Sequence, residues 1–196
     1  MRKVKKFKLT SEFIVDISGV KLFRIKALIE FGNVKAGDLG GYIEKEENLS
    51  HMGNAWVSGN AQVSGDARVS GNARVSGDAQ VFGDARVSGN AQVSGNAQVS
   101  GDARVSGNAQ VFGDARVSGD ARVSGDKDYA YAHGFGSCNR TTTFFRLKDG
   151  DVGVRCGCFY GTLAQFRDKV CETHGETKKA QEYLMLADLM EIRFKN

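Results

Sequence analysis

No proline occurs in this chain, tryptophan occurs once and histidine three times. No apolar run reaches the length of a signal peptide or a membrane-spanning helix, so a cytoplasmic protein is expected. The four cysteines are then expected to be reduced. Neither sign of charge dominates, for the formal net charge is only +4. The basic excess is early, where Arg2, Lys3, Lys5, Lys6, Lys8, Lys21, Arg24 and Lys26 face only Glu12 and Asp16. A solvated sheet face accounts for it better than a nucleic-acid or membrane patch. The most informative absence is local. Between Gly53 and Asp126 there is no histidine, no lysine and no insertion. A general base must lie within hydrogen-bond reach of the group it deprotonates. Gln, Arg, Asn and Asp on flat faces supply none that titrates near neutrality.

What fills that stretch is a hexad. It reads G-N-A-W-V-S, then G-N-A-Q-V-S, then G-D-A-R-V-S, and runs on to Asp126. Valine returns every sixth residue from Val57 to Val123, with alanine two residues before each. A fixed period of this kind sets the architecture before any other signal.

A longer period lies inside it. Asn54, Asn72, Asn90 and Asn108 recur 18 residues apart, as do Asp66, Asp84, Asp102 and Asp120. The third column alternates: Asn60, Asp78, Asn96, Asp114. Arg68, Arg86, Arg104 and Arg122 make a fourth set with the same spacing of 18. Three hexads per coil produce this pattern, because residues one coil apart then stack. Each hexad forms one short side of a triangular coil, and Gly with Asn or Asp turns the corner. Valine points inward, with the small alanine beside it. Coils stack at about 4.8 Å, the strand spacing, and the asparagine column predicts an amide ladder. Four stacked carboxylates repel unless countered, and the adjoining arginines are expected to supply the counter-charge.

The motif A-x-V-S-G-[ND] resembles the hexapeptide-repeat family. The resemblance implies a left-handed parallel β-helix, three-sided, with 18 residues per coil. The opening segment LFRIKALIEFGNVKAGDLGGYIEKEENLS and the later RTTTFFRLKDGDVGVRCGCFYGTL also look like parts of hexapeptide-repeat proteins from phages, prophages and gut bacteria. That implies a phage or prophage setting and no particular activity. Most enzymes of the wider family are acyltransferases, which implies a trimer, a catalytic histidine and an acyl-CoA cleft between prisms. This chain departs from them within the repeat. Only His51 and His133, on its flanks, are available for that chemistry.

Residues 1–52 are expected to form a β cap, since an open end would expose unpaired backbone groups. Phe23, Ile25, Ala27, Ile29 and Phe31 alternate with Arg24, Lys26, Leu28 and Glu30, which predicts one long half-buried strand. Leu39 lies 18 before Val57, so a degenerate first coil is expected to begin there. Residues 127–139 are expected to be an irregular coil or linker. Residues 140–196 predict a small ββαα module: strands 141–147 and 152–160, a helix opened by a Thr162/Gln165 capping box and closed by Gly175, then a second helix over 176–194. The fold class is therefore mainly β, a capped parallel β-helix followed by an α/β module.

Cys156 and Cys158, with Cys138, Cys171, His133 and His174, raise the question of zinc. Structural zinc sites use C-x₂₋₄-C pairs, and a buried core role for the cysteines is preferred. H-G-F-G-S with R-T-T-T offers groups a phosphate site would need, but lacks a strand-to-helix context. A linker is the preferred reading there. No catalytic residue, cofactor or metal is expected. The favoured function is a non-catalytic scaffold that binds a protein partner, with a homo-oligomer (dimer or trimer) expected. Nucleic acid has weaker support and a membrane none. Candidate contact residues are Trp56, Phe82 and Phe112, expected to be exposed, the ladder Arg68, Arg86, Arg104 and Arg122, and Arg140. One version is an inhibitor of a host defence system; the alternative is an acyl-CoA-dependent enzyme.

Overall fold

Every valine from Val57 to Val123 is at most 1 % exposed and every hexad alanine is 0 % exposed. Alanine and valine two residues apart in an extended chain share a face, and here that face is the interior. Burying each valine contributes on the order of 1.5–3 kcal/mol. The computed structural model describes residues 4–137 and 140–195. Three N-terminal strands come first: β1 (Phe7–Val15), β2 (Lys21–Ala27) and β3 (Leu39–Ile43). Two-residue strands follow, from β4 (Trp56–Val57) to β15 (Arg122–Val123), one per hexad. Each corner glycine from Gly53 to Gly119 has φ between +59° and +71°.

The strands stack in parallel with a register of 18. Val57 pairs with Val75, Val63 with Val81 and Val69 with Val87. Three walls result. Two contain four strands each, and the third continues through β3 into the antiparallel β1–β2 hairpin. The cap is thus an extension of one wall. The predicted amide ladder is present from Asn72 through Asn90 to Asn108, with 3.1 Å between successive side chains. The alternating column forms amide–carboxylate pairs, Asn60 on Asp78 and Asn96 on Asp114.

The first coil departs from expectation. Ile43 pairs with Val63 and Leu49 bridges to Val69, a spacing of 20. Leu39 does not stack on Val57 and is 51 % exposed. Gly40 and Gly41 lie over Trp56 and Val57 instead, where a Cβ on Gly41 would come within 2.8 Å of Val57 Cγ1. The predicted long strand also stops early, at Ala27, leaving Ile29 exposed.

Beyond the repeat the expected linker is a strand, β16 (Tyr129–Phe135). It pairs with β17 (Arg140–Arg146), which pairs with β18 (Val152–Cys156), and that with β19 (Phe159–Thr162). The predicted strand 152–160 is split by Gly157, whose φ is +59°. The module is therefore four strands and two helices, α1 (Leu163–His174) and α2 (Lys178–Phe194). The Thr162/Gln165 capping box and the Gly175 cap form as expected.

The module's sheet is buried on both faces. Phe145, Leu147 and Tyr129 join the valine core of the shaft. Phe144 and Val154, of opposite parity, pack on the helices with Phe166, Tyr183 and Met190. The cysteines fit the core reading only in part. Cys156 is half-buried, but Cys158 and Cys171 are exposed. The turn at Gly157 removes Cys158 from the strand alternation, and Cys171 sits one residue past the buried stripe at Val170. Cys138 lies outside the described residues.

Candidate functional site

Arg68, Arg86, Arg104 and Arg122 stand in register on one wall. The first three are exposed. Arg122 folds back, and its Nη1 donates to the carbonyls of Asp102, Asp120 and Ala121 at 2.8–3.0 Å. The expected counter-charge does not arrive as contact pairs. Among the described residues, the aspartate column makes one ion pair, Asp66 with Lys45 at 2.7 Å. Aspartate occupies the corner while arginine stands on the flat face two residues later, so the side chains splay apart. Three guanidinium groups remain unpaired among the described residues, about one strand spacing apart.

A groove of about 930 Å³ opens at the cap end of this ladder, between Arg68 and Arg86 on one side and Ile29, Met52 and His51 on the other. His51 stacks on Phe7 at 4.3 Å between ring centres. Its Nδ1 accepts the Lys6 backbone N–H at 3.2 Å. In the neutral ring the proton therefore sits on Nε2, 3.7 Å from Glu46. The lone pair that a general base would use is already engaged. Glu46 is held below the usual carboxylate range, first by its hydrogen bond from Lys5.

Of the three candidate aromatics, Trp56 is a correction. It is 6 % exposed and meets Phe31 edge-on at 5.4 Å. It belongs to the first full coil, which the cap covers. Phe82 is exposed, beside Val15 and Ile17 at the tip of the β1–β2 hairpin. Phe112 is also exposed but props Tyr131 of β16 edge-on at 5.5 Å. The two phenylalanines stand at different corners and do not form one patch.

Arg140 opens β17 and reaches a second cleft, of about 600 Å³, where the shaft meets the module. Arg116 comes to it from the shaft, and His133, Thr141 and Arg155 from the module's sheet. His133 Nδ1 lies 2.9 Å from Thr141 Oγ1. The backbone N–H of Arg116 donates to Thr143 Oγ1 at 3.0 Å, which pins the two parts together beside the cleft.

Residues 61–125 match the YdcK beta solenoid repeat, in six overlapping segments from 61–77 to 109–125. The shaft is a hexapeptide-repeat-like parallel β-solenoid. The match leaves the N-terminal cap and the C-terminal module outside it. No curated protein matches the chain. No helix of the described residues is long and apolar enough to cross a membrane.

The solenoid brings the ladder arginines together as its period demands, but it does not join them to Arg140. Arg116, Arg155 and His133 were not among the contact residues expected from sequence. One signal for Arg116 was present: its column reads Gln62, Gln80, Gln98 and then breaks. Arg155 has no such marker, because its approach depends on how the sheet docks.

Proposed function

We propose that this protein is a non-catalytic β-solenoid scaffold that docks an acidic protein surface across its arginine ladder. The observation that carries this reading is the unpaired state of Arg68, Arg86 and Arg104 in a register set by strand pairing. Guanidinium forks bind carboxylates bidentately, and a stiff wall fixes their backbone register, so the ordering cost at binding is confined to the side chains. A cytoplasmic setting in a phage-infected host, self-association into a dimer or trimer, and inhibition of a host defence protein are the finer parts of the proposal. The phage-like segments motivate the first and the last, and the hexapeptide-repeat resemblance motivates the self-association. The acyl-transfer alternative has less support, because the His51 lone pair is committed to a backbone N–H.

The test is capture from host lysate by the intact protein and by the triple variant Arg68→Gln, Arg86→Gln, Arg104→Gln. Glutamine already stands at equivalent wall positions, so the fold is expected to persist. A partner held by the wild type and released by the variant supports the reading. Equal capture by both removes the ladder from the binding role, and no capture by either removes the scaffold reading. Light scattering on the purified protein checks the oligomer.

A further inference from the structure

The cleft between shaft and module has the chemistry of an anion site. Arg116, Arg140, Arg155 and His133 line it, with the Thr141 hydroxyl 2.9 Å from His133 Nδ1. Among the described residues one carboxylate lines it, Asp114, which accepts from the Asn96 side chain at 2.9 Å. Among the described residues none of the three arginines makes an ion pair with a carboxylate. Asp114 offsets one of the three guanidinium charges, and the net positive charge that remains is unfavourable unless a counter-ion joins it.

The sheet explains why these side chains share the cavity. His133, Thr141, Thr143 and Arg155 have the parity that faces the shaft, the same parity that puts Phe145 in the valine core. On the shaft side, Arg116 is the last member of a column otherwise made of glutamine, at the coil that meets the module. Gly157 completes the arrangement. A Cβ there would run into Arg140 Nη1, so the absence of a side chain lets that guanidinium lie against the turn.

We propose that this cleft binds a small, multiply charged phosphate compound such as a di- or triphosphate group. Arginine forks match phosphate oxygens in pairs, and such bonds are stronger than neutral ones. The volume of about 600 Å³ falls in the small-molecule range. Apart from the His133 imidazole, no aromatic ring among the described residues lines the cleft for bases to stack on, and single-stranded nucleic-acid sites use such rings. The charged groups therefore supply the recognition. This site is separate from the arginine ladder, and the two proposals fail independently.

The experiment is titration calorimetry of the full chain with inorganic tripolyphosphate and with ATP. Saturable binding is expected, and Arg116→Gln, which restores the residue of its own column, is expected to weaken it about tenfold or more with no change in melting temperature. Arg155→Gln is expected to act alike. Arg74→Gln, on the wall that holds neither Arg116 nor the ladder, is expected to leave the affinity unchanged. Binding of tripolyphosphate without any gain from ATP keeps the proposal and confines recognition to the phosphates. Absence of binding by the wild type overturns it. Equal loss in Arg74→Gln and Arg116→Gln also overturns it, because diffuse positive charge then accounts for the signal.

Discussion

The ammonium nitrogen of Lys6 lies 2.8 Å from the carbonyl oxygen of Ala55. It also reaches the Gly53 carbonyl at 3.3 Å and stands 4.6 Å from the centre of the Phe31 ring. In the body of the shaft these carbonyls accept from the preceding coil: Ala73 from the Trp56 N–H, Gly71 from the Ala55 N–H. Ala55 and Gly53 have no preceding coil, and a lysine side chain takes its place.

Burial pushes the Lys6 ammonium down from 10.5 to about 8. Between those values the unfolded chain binds more protons than the folded one, so this group adds stability as pH rises. Lys6→Met orphans two carbonyls and is expected to cost about 1–3 kcal/mol at neutral pH. The gap to wild type should widen from pH 8 towards pH 10. Urea titrations across that range check it, and a gap that stays constant contradicts the cap role.

Asn48 caps a second wall. Its amide donates to Gly65 and Ala67 at 3.0 and 2.9 Å, and its carbonyl accepts from the Lys45 N–H at 2.9 Å. The opposite end of the shaft asks for acceptors, and there Asp128 receives the Ser124 N–H at 3.0 Å. Asn48→Ala should cost about 1–3 kcal/mol. Asn48→Asp should cost more, although it is the closer isostere, because it points a carboxylate at two carbonyls. Melting temperatures in the reverse order would refute the donor requirement.

Two glycines separate backbone strain from stacking. Gly150 has φ +92° with open space where a Cβ would go. Gly89 has φ +66°, and a Cβ there would lie 2.8 Å from the Gly107 nitrogen of the next coil. Gly150→Ala is expected to cost about 1–2 kcal/mol from its dihedral alone. Gly89→Ala should cost more than that, since neighbouring coils must part. Equal losses in denaturant unfolding would show that stacking adds nothing.

Trp56 and Phe82 should behave oppositely. Trp56→Ala empties a core position and is expected to cost about 3–5 kcal/mol. Phe82→Ser returns the hexad to its common residue and should change stability by less than about 0.5 kcal/mol. If Phe82→Ser proves as damaging as Trp56→Ala, the exposed placement of Phe82 is wrong.

Trp56 also shows what the period leaves undetermined. Its place on the wall followed from the period, but its exposure depended on a cap whose path no repeat announces. The same holds for Leu39, because the first coil is two residues longer than the 18-residue period of the shaft. The junction cleft was less legible still. Arg116 broke its column visibly, but nothing near Arg155 or His133 indicated that the three would meet.

By itself the sequence determined the shaft. Stacking every 18 residues makes each coil's surroundings a copy of the last, so local identity was enough to assign the valine interior, the arginine wall and the asparagine ladder. Tertiary structure decided what happens at the two ends. There the repeat has no neighbour to pair with, and the missing partners come from Lys6, Asn48, Asp128 and the module's sheet, whose positions are set by long-range packing and not by period.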